Sequence, residues 1–274
     1  MAERQHGRAG GTVVAAGLMA CVCLGASGCG SRGSAAEDPV HALHEAADAL
    51  VDAKSSKART SMEMATGGTR VTIRGEGVYD YTRQLGRLRV LLPQDPAGRV
   101  AHRPITELLA PGALFMKNRG AGVPADKWVR VETATLSDGN LVTGGATDPF
   151  AAAEVLRGTR SATFVGTTDL AGTEVWHYRG TADLSAAARG ASGGTRDSLA
   201  AAAKGFATAV VPFDVFLDEE GRIRKIRHRF SFVNGRHQAT VAVASTTLLY
   251  DFGTPAQVRL PAEEDIYAGR IAEE

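Results

Sequence analysis

Apolar positions recur along this chain with two periods, and the change between them separates a helical start from a strand-rich body. Behind Asp38-Pro39, a capping residue followed by one suited to the first helical position, Val40, Leu43, Ala47, Leu50 and Val51 fall at helical spacing, which predicts a helix over 39–54. From Ala58 the period becomes two. Val71, Ile73, Gly75, Gly77, Tyr79 and Tyr81 share one face of a long strand, with Thr72, Arg74, Glu76 and Asp80 on the other. Leu88, Val90 and Leu92 continue the alternation against Arg87 and Arg89. Such strands are half-buried and antiparallel, apolar inside and wetted outside. Gly75 and Gly77 leave room on the inner face for a bend, a close-packed helix or a ligand.

The rest of the chain follows the same grammar. Residues 94–104 read as a loop, and 108–117 and 128–132 as further strands joined by a Gly/Pro-containing loop. Asp148-Pro149-Phe150 repeats the helix opening, with Gly158 placed to end that helix. A hairpin is expected around Leu170-Ala171-Gly172, between strands 163–168 and 173–180, and a third helix over 196–208. Phe213, Val215 and Leu217 lead into the turn Asp218-Glu219-Glu220-Gly221. Ile226, His228, Phe230 and Phe232 return against Lys225, Arg227 and Arg229. Asn234-Gly235 then signals a tight hairpin into 237–250, completing a three-stranded meander.

The amino terminus is an address rather than part of this fold. Arg4 and Arg8 precede an uncharged, mostly apolar run of about 13 residues, too short for the roughly 20 of a permanent membrane helix. Small residues then lead into Cys29 as Ala26-Ser27-Gly28-Cys29, the order of a secretory signal. It resembles the bacterial lipoprotein signal in particular. That resemblance implies cleavage after Gly28 and a diacylglyceryl group on the Cys29 thiol. An ordinary cleaved signal is the alternative, and Leu18-Met19-Ala20-Cys21 is a second possible box. Residues 1–28 thus read as signal and 29–37 as a flexible tether, with 38–274 as one domain. The tether's mean reach is roughly 16 Å, which holds the domain near the membrane face.

Composition narrows the chemistry. The chain of 274 residues carries 31 Lys plus Arg against 30 Asp plus Glu, so no electrostatic grip on nucleic acid is expected. No basic run marks a surface held to anionic lipid by charge. All 3 cysteines, Cys21, Cys23 and Cys29, lie in or at the end of the signal. The exported part therefore has no disulfide or thiolate metal site and coheres by burial and backbone pairing. No cofactor is expected, and the domain is expected to be a monomer.

Candidate reactive groups are weak. Gly190-Ala191-Ser192-Gly193-Gly194 matches the G-x-S-x-G pattern of a nucleophile elbow, but it sits in a Gly/Ala/Ser tract without the buried strand that motif needs. Asp218-Glu219-Glu220 reads as a solvated turn, and Asp214 as facing water on the outer side. His41 and His44, three apart on a helix, suit a surface better than a metal. His177 and His228 lie in strand patterns and read as partly buried, hydrogen-bonded histidines. No phosphate loop, H-E-x-x-H or calcium loop is present, and no catalysis is expected.

Taken together, several stretches resemble actinobacterial lipoproteins of the LppX/LprG type, related in architecture to the Lol lipoprotein carriers. They are the Cys29 box, Asp38-Pro39, Trp128-Val129-Arg130-Val131, Asp148-Pro149-Phe150 and Val175-Trp176-His177-Tyr178-Arg179-Gly180. Val211-Pro212-Phe213-Asp214-Val215-Phe216-Leu217-Asp218 and Leu249-Tyr250-Asp251-Phe252-Gly253 complete the set. The resemblance implies an α+β fold, a curved antiparallel sheet forming an open half-barrel with helices on its concave side. It further implies an apolar cavity between the two that holds acyl chains of lipids or glycolipids in the cell envelope, without catalysis. The strand faces nominate Val71, Ile73, Tyr79, Leu88, Val90, Phe213, Val215, Ile226, Phe230 and Phe232 as cavity residues. The same residues could simply pack against the helix stripes. An envelope sensor acting through a membrane protein partner is the second functional reading, and a hydrolase using Ser192 the third.

Overall fold

In the computed structural model, which describes residues 38–66, 68–93, 103–120, 122–234 and 239–268, the first predicted helix forms as its spacing requires. The Asp38 carboxylate accepts from the Val40 N–H at 3.0 Å and opens α1 (Pro39–Asp52), whose Leu43, Ala46, Ala47 and Leu50 are buried. Three further helices follow among the described residues: α2 (Pro149–Glu154), α3 (Leu184–Gly190) and α4 (Gly193–Gly205).

The strands are β1 (Ser55–Thr66), β2 (Thr69–Asp80), β3 (Leu85–Leu91), β4 (Ile105–Ala110), β5 (Ala113–Lys117) and β6 (Trp128–Glu132). After α2 come β7 (Thr159–Leu170), β8 (Thr173–Asp183), β9 (Val210–Leu217), β10 (Ile223–Asn234) and β11 (Ala239–Tyr250). They form one 11-stranded antiparallel sheet in the order β6-β5-β4-β3-β2-β1-β11-β10-β9-β8-β7. Two consecutive meanders, β1 to β6 and β7 to β11, are thus joined where the first strand pairs with the last, with Thr60 opposite Thr247. β6 and β7 stay at opposite edges, so the curved sheet is a half-barrel and not a closed one. Sheet and helices belong to the compact unit Ala35–Glu274, and the unit Met1–Ser34 lies outside the described residues.

The period of two sorts the side chains. Ala58, Met62, Ile73, Leu88, Val90, Phe213, Val215, Ile226, Phe230, Val243 and Leu249 are buried in one apolar cluster with α1, α2 and Leu199 and Ala202 of α4. A smaller second cluster, Leu85, Leu108, Ala113 and Phe115, is covered by Val258 and Ile266. The chain after β11 reaches the edge strand, where the Tyr267 N–H donates to the Trp128 carbonyl at 2.8 Å.

Several expected elements are redrawn. The stretch 108–117 is two strands, because Pro111-Gly112, with Gly112 at φ +73, makes a turn inside a continuous apolar run. The alanine-rich residues after β8 form α3, capped by Asp183 accepting from the Ala186 N–H at 2.7 Å. The helix expected over 196–208 begins earlier and ends at Gly205. Most of the loop 94–104, and Gly235 of the predicted hairpin, lie outside the described residues.

Candidate ligand-binding face

All ten nominated residues lie on the helix-bearing face, but in two groups. Val71, Ile73, Tyr79, Leu88 and Val90 stand on β2 and β3, and Phe213, Val215, Ile226, Phe230 and Phe232 on β9 and β10. β1 and β11 run between them. Eight of these are buried, whereas Val71 and Phe232 are half-buried. With Met64 and Leu92, also half-buried against the same core, those two carry the apolar surface to one end of the sheet.

The middle of the face is polar, which the alternation pattern did not flag. In register across β2, β1, β11 and β10 lie Gly75, Thr60, Thr247 and Ile226, and beside them Ile73, Met62, Ser245 and His228. Thr60 Oγ1, Thr247 Oγ1 and His228 Nε2 are buried without hydrogen-bond partners. Burial pushes the His228 ring down to about 3, so it is neutral. The partly buried, hydrogen-bonded histidine expected here is instead enclosed and unpartnered at Nε2, stacked 5.6 Å from Phe230.

Residues 136–148, unassigned from the sequence, cover this seam. Asp138 organises the segment by accepting from the Asn140, Val142 and Thr143 N–H groups. Thr147 reaches the sheet through a hydroxyl contact with Ser245. Gly75 matters here: a Cβ on it would meet Thr60 Oγ1 at 2.5 Å and Ala146 Cβ at 3.4 Å. In place of the expected bend, close-packed helix or ligand, the space is closed by Thr60 and by the non-helical covering segment. At Gly77 the space belongs to the neighbouring strand, since a Cβ would lie 1.9 Å from the Arg87 carbonyl oxygen.

Titratable groups cluster beside this cover. Tyr79 donates to Asp148 at 3.3 Å and borders a hollow of about 30 Å³ together with Asn140 and Ser198. Burial raises Asp148 to about 6 even though it accepts from the Phe150 and Ala151 N–H groups. Burial also raises Glu107, on β4, to about 8. Both Glu107 oxygens lack partners, and a Cβ on Gly144 would sit 3.3 Å from Oε1.

The other candidate chemistry is structural. Ser192 precedes α4. Its N–H donates to Glu154 Oε2 at 2.7 Å and its hydroxyl accepts from Gln84 at 3.2 Å, with no histidine among its hydrogen-bond partners. Asp218 is buried, not solvated, and binds Arg222 through both backbone and guanidinium. Asp214 does face outward, but under His177, Arg179 and Arg229. Partial burial alone would raise its carboxyl, and their hydrogen bonds hold it at about 2. His41 pairs with Glu45 at 3.3 Å, and His44 Nε2 lies 3.3 Å from the Thr159 carbonyl. Among the described residues no group of three metal-ligating side chains converges, and no helix is long and apolar enough to cross a membrane.

No protein-family model matches this chain, and no curated protein matches it. Solved structures similar to it include the Mycobacterium tuberculosis lipoprotein LppX, 10% identical over 80% of this chain and 99% of that one, with a TM-score of 0.42. LprF from Mycobacterium bovis is 12% identical over 81% of this chain and 96% of its own, with a TM-score of 0.38. A LolA superfamily protein from Nitrosomonas europaea is 10% identical over 77% and 93%, with a TM-score of 0.33. The likeness concerns the fold alone.

Proposed function

We propose that this protein is a cell-envelope lipoprotein, held at the extracytoplasmic membrane face through Cys29, that binds acyl chains of lipids or glycolipids on its concave sheet face without catalysis. The observation supporting this reading is the apolar surface that leaves the closed core and continues to half-buried Met64, Val71, Leu92 and Phe232 at one end of the sheet. A lipid tail exposes apolar area at roughly 25 cal/mol per Å², and each methylene transferred to such a surface is worth about 0.8 kcal/mol. A tail covering that end of the sheet would be held by the sum of many such increments, with no directional chemistry required. The nominated residues of β2, β3, β9 and β10 then form the deeper walls, reached once residues 136–148 give way.

The experiment is mass spectrometry of an organic extract of the purified protein, with uptake of a fluorescent fatty acid measured alongside. Bound lipid is expected in the parent. At least a tenfold loss of uptake is expected in Met64→Asp/Phe232→Asp, whose changes lie at the half-buried end. A lipid-free extract together with no uptake would refute the reading.

A further inference from the structure

The outer face of the sheet carries a second site. Arg59 on β1, Glu76 on β2 and Arg89 on β3 stand side by side in register, and the next row places Ser61, Arg74 and Leu91 together. These residues, with Leu248 of β11, line a hollow of about 330 Å³. Three guanidiniums therefore surround one carboxylate. Arg74 and Arg89 make no hydrogen bond or ion pair among the described residues, and Arg59 has only the Tyr250 ring, 5.1 Å from its guanidinium carbon. Arg227, the register neighbour of Thr246, borders the patch; its Nε is buried without a partner, and its Nη2 lies 3.9 Å from the Glu63 carboxylate. Towards the sheet edges Arg130 pairs with Glu132, and Arg179 and Arg229 with Asp214. Arg70 on β2 and Arg87 on β3, like Arg74 and Arg89, have no partner among the described residues, so unpaired positive charge gathers on the strands that form the hollow.

We propose that this face docks on an anionic bilayer surface, with Arg59, Arg74 and Arg89 receiving phosphate headgroups. Charge complementarity argues for that occupant, because unpaired guanidiniums from three adjacent strands present forked donors that match phosphate oxygens. The apolar part of the lining argues the same way. Leu91 is 40% exposed beside these arginines, and Leu248 lines the same hollow with β2 and β1 between them, giving the glycerol and first methylenes of a lipid an apolar contact that a free anion does not need. The site lies on the opposite face from the acyl-chain surface and does not depend on it.

The test uses the full chain carrying Cys29→Ser, which removes any acyl anchor, and measures co-sedimentation with two vesicle types. One is pure phosphatidylcholine; in the other a third of the lipid is phosphatidylglycerol. Tighter binding to the anionic vesicles is expected, weakening as salt is raised. Arg74→Gln/Arg89→Gln is expected to lose about thirty-fold in affinity for them, from the usual contribution of each cation near an anionic surface. Arg160→Gln, a partner of Asp183 on β7, removes one charge elsewhere and is expected to change binding less than threefold. Equal binding to both vesicle types, or a double variant that binds as the parent does, overturns the proposal. So does displacement from the vesicles by glycerol phosphate, which would make the hollow a site for a small soluble anion. Unchanged thermal unfolding of the double variant excludes misfolding as the cause of its loss.

Discussion

Replacing Glu107 by glutamine should convert a pH-dependent fold into one nearly indifferent to pH above neutrality. Glu107 is 0% exposed, stands between Leu88 of β3 and Met116 of β5 in register, and has no partner on either oxygen. Arg119 is the charge that opposes its burial, and its guanidinium is bonded instead to the Thr143 carbonyl at 3.4 Å. Burial therefore dominates and raises the carboxyl from 4.5 to about 8. The folded value lies above the unfolded one, so the native state keeps a proton that the unfolded chain releases. The resulting stability is complete below about pH 4.5 and is lost as pH rises through about 8. At about 1.4 kcal/mol per pH unit, that interval amounts to about 5 kcal/mol, reduced by any water the 136–148 segment admits. Glutamine has the same shape and stays neutral. Urea unfolding from neutral to mildly alkaline pH, above the folded values of His228 and Asp148, isolates the effect. The parent should lose about 1.4 kcal/mol as pH rises from 7 through about 8 and little more above it, and Glu107→Gln should not. A parent curve that is flat or rising, or a variant that falls in parallel with it, refutes the argument.

Two further outcomes test the packing. Arg157→Ala removes the guanidinium that bonds buried Glu154 at 3.0 Å and Asp48 of α1 at 2.6 Å, leaving a buried carboxylate with only the Ser192 N–H. The expected cost is about 3–5 kcal/mol, or a Tm lower by about 10 °C, partly recovered by adding Glu154→Gln; a loss below about 1 kcal/mol contradicts it. His228→Phe addresses acid unfolding. Because burial lowers the folded value from 6.5 to about 3, the neutral ring contributes stability that is present above the unfolded value and lost as pH falls between the two. The variant should lose that acid dependence, worth up to about 5 kcal/mol, while Asp148, raised to about 6, keeps its opposite slope. An acid-unfolding curve identical to the parent's would show that the His228 ring takes up its proton alike in the folded and unfolded chain, which refutes the argument.

Local rules explain what the sequence by itself determined. Asp-Pro openings placed α1 and α2, because cap and ring geometry act within a few residues. Alternation assigned Val71 to Tyr79 and Phe213 to Phe232 to the inner face, because successive strand side chains point to opposite sides whatever their partners. Where a local signal was ambiguous, as in the apolar run broken by Pro111-Gly112, the boundary was lost. The polar seam of Thr60, Thr247 and His228, the burial of Glu107 and the covering segment 136–148 arise from cross-strand neighbours and a loop far apart in the chain. The outer arginines make the same point about charge. Spaced along β1, β2 and β3, Arg59, Arg74 and Arg89 form no basic run, and the whole chain is nearly neutral. Strand register alone brings them around one hollow, because pairing neighbours sit about 5 Å apart however many residues separate them.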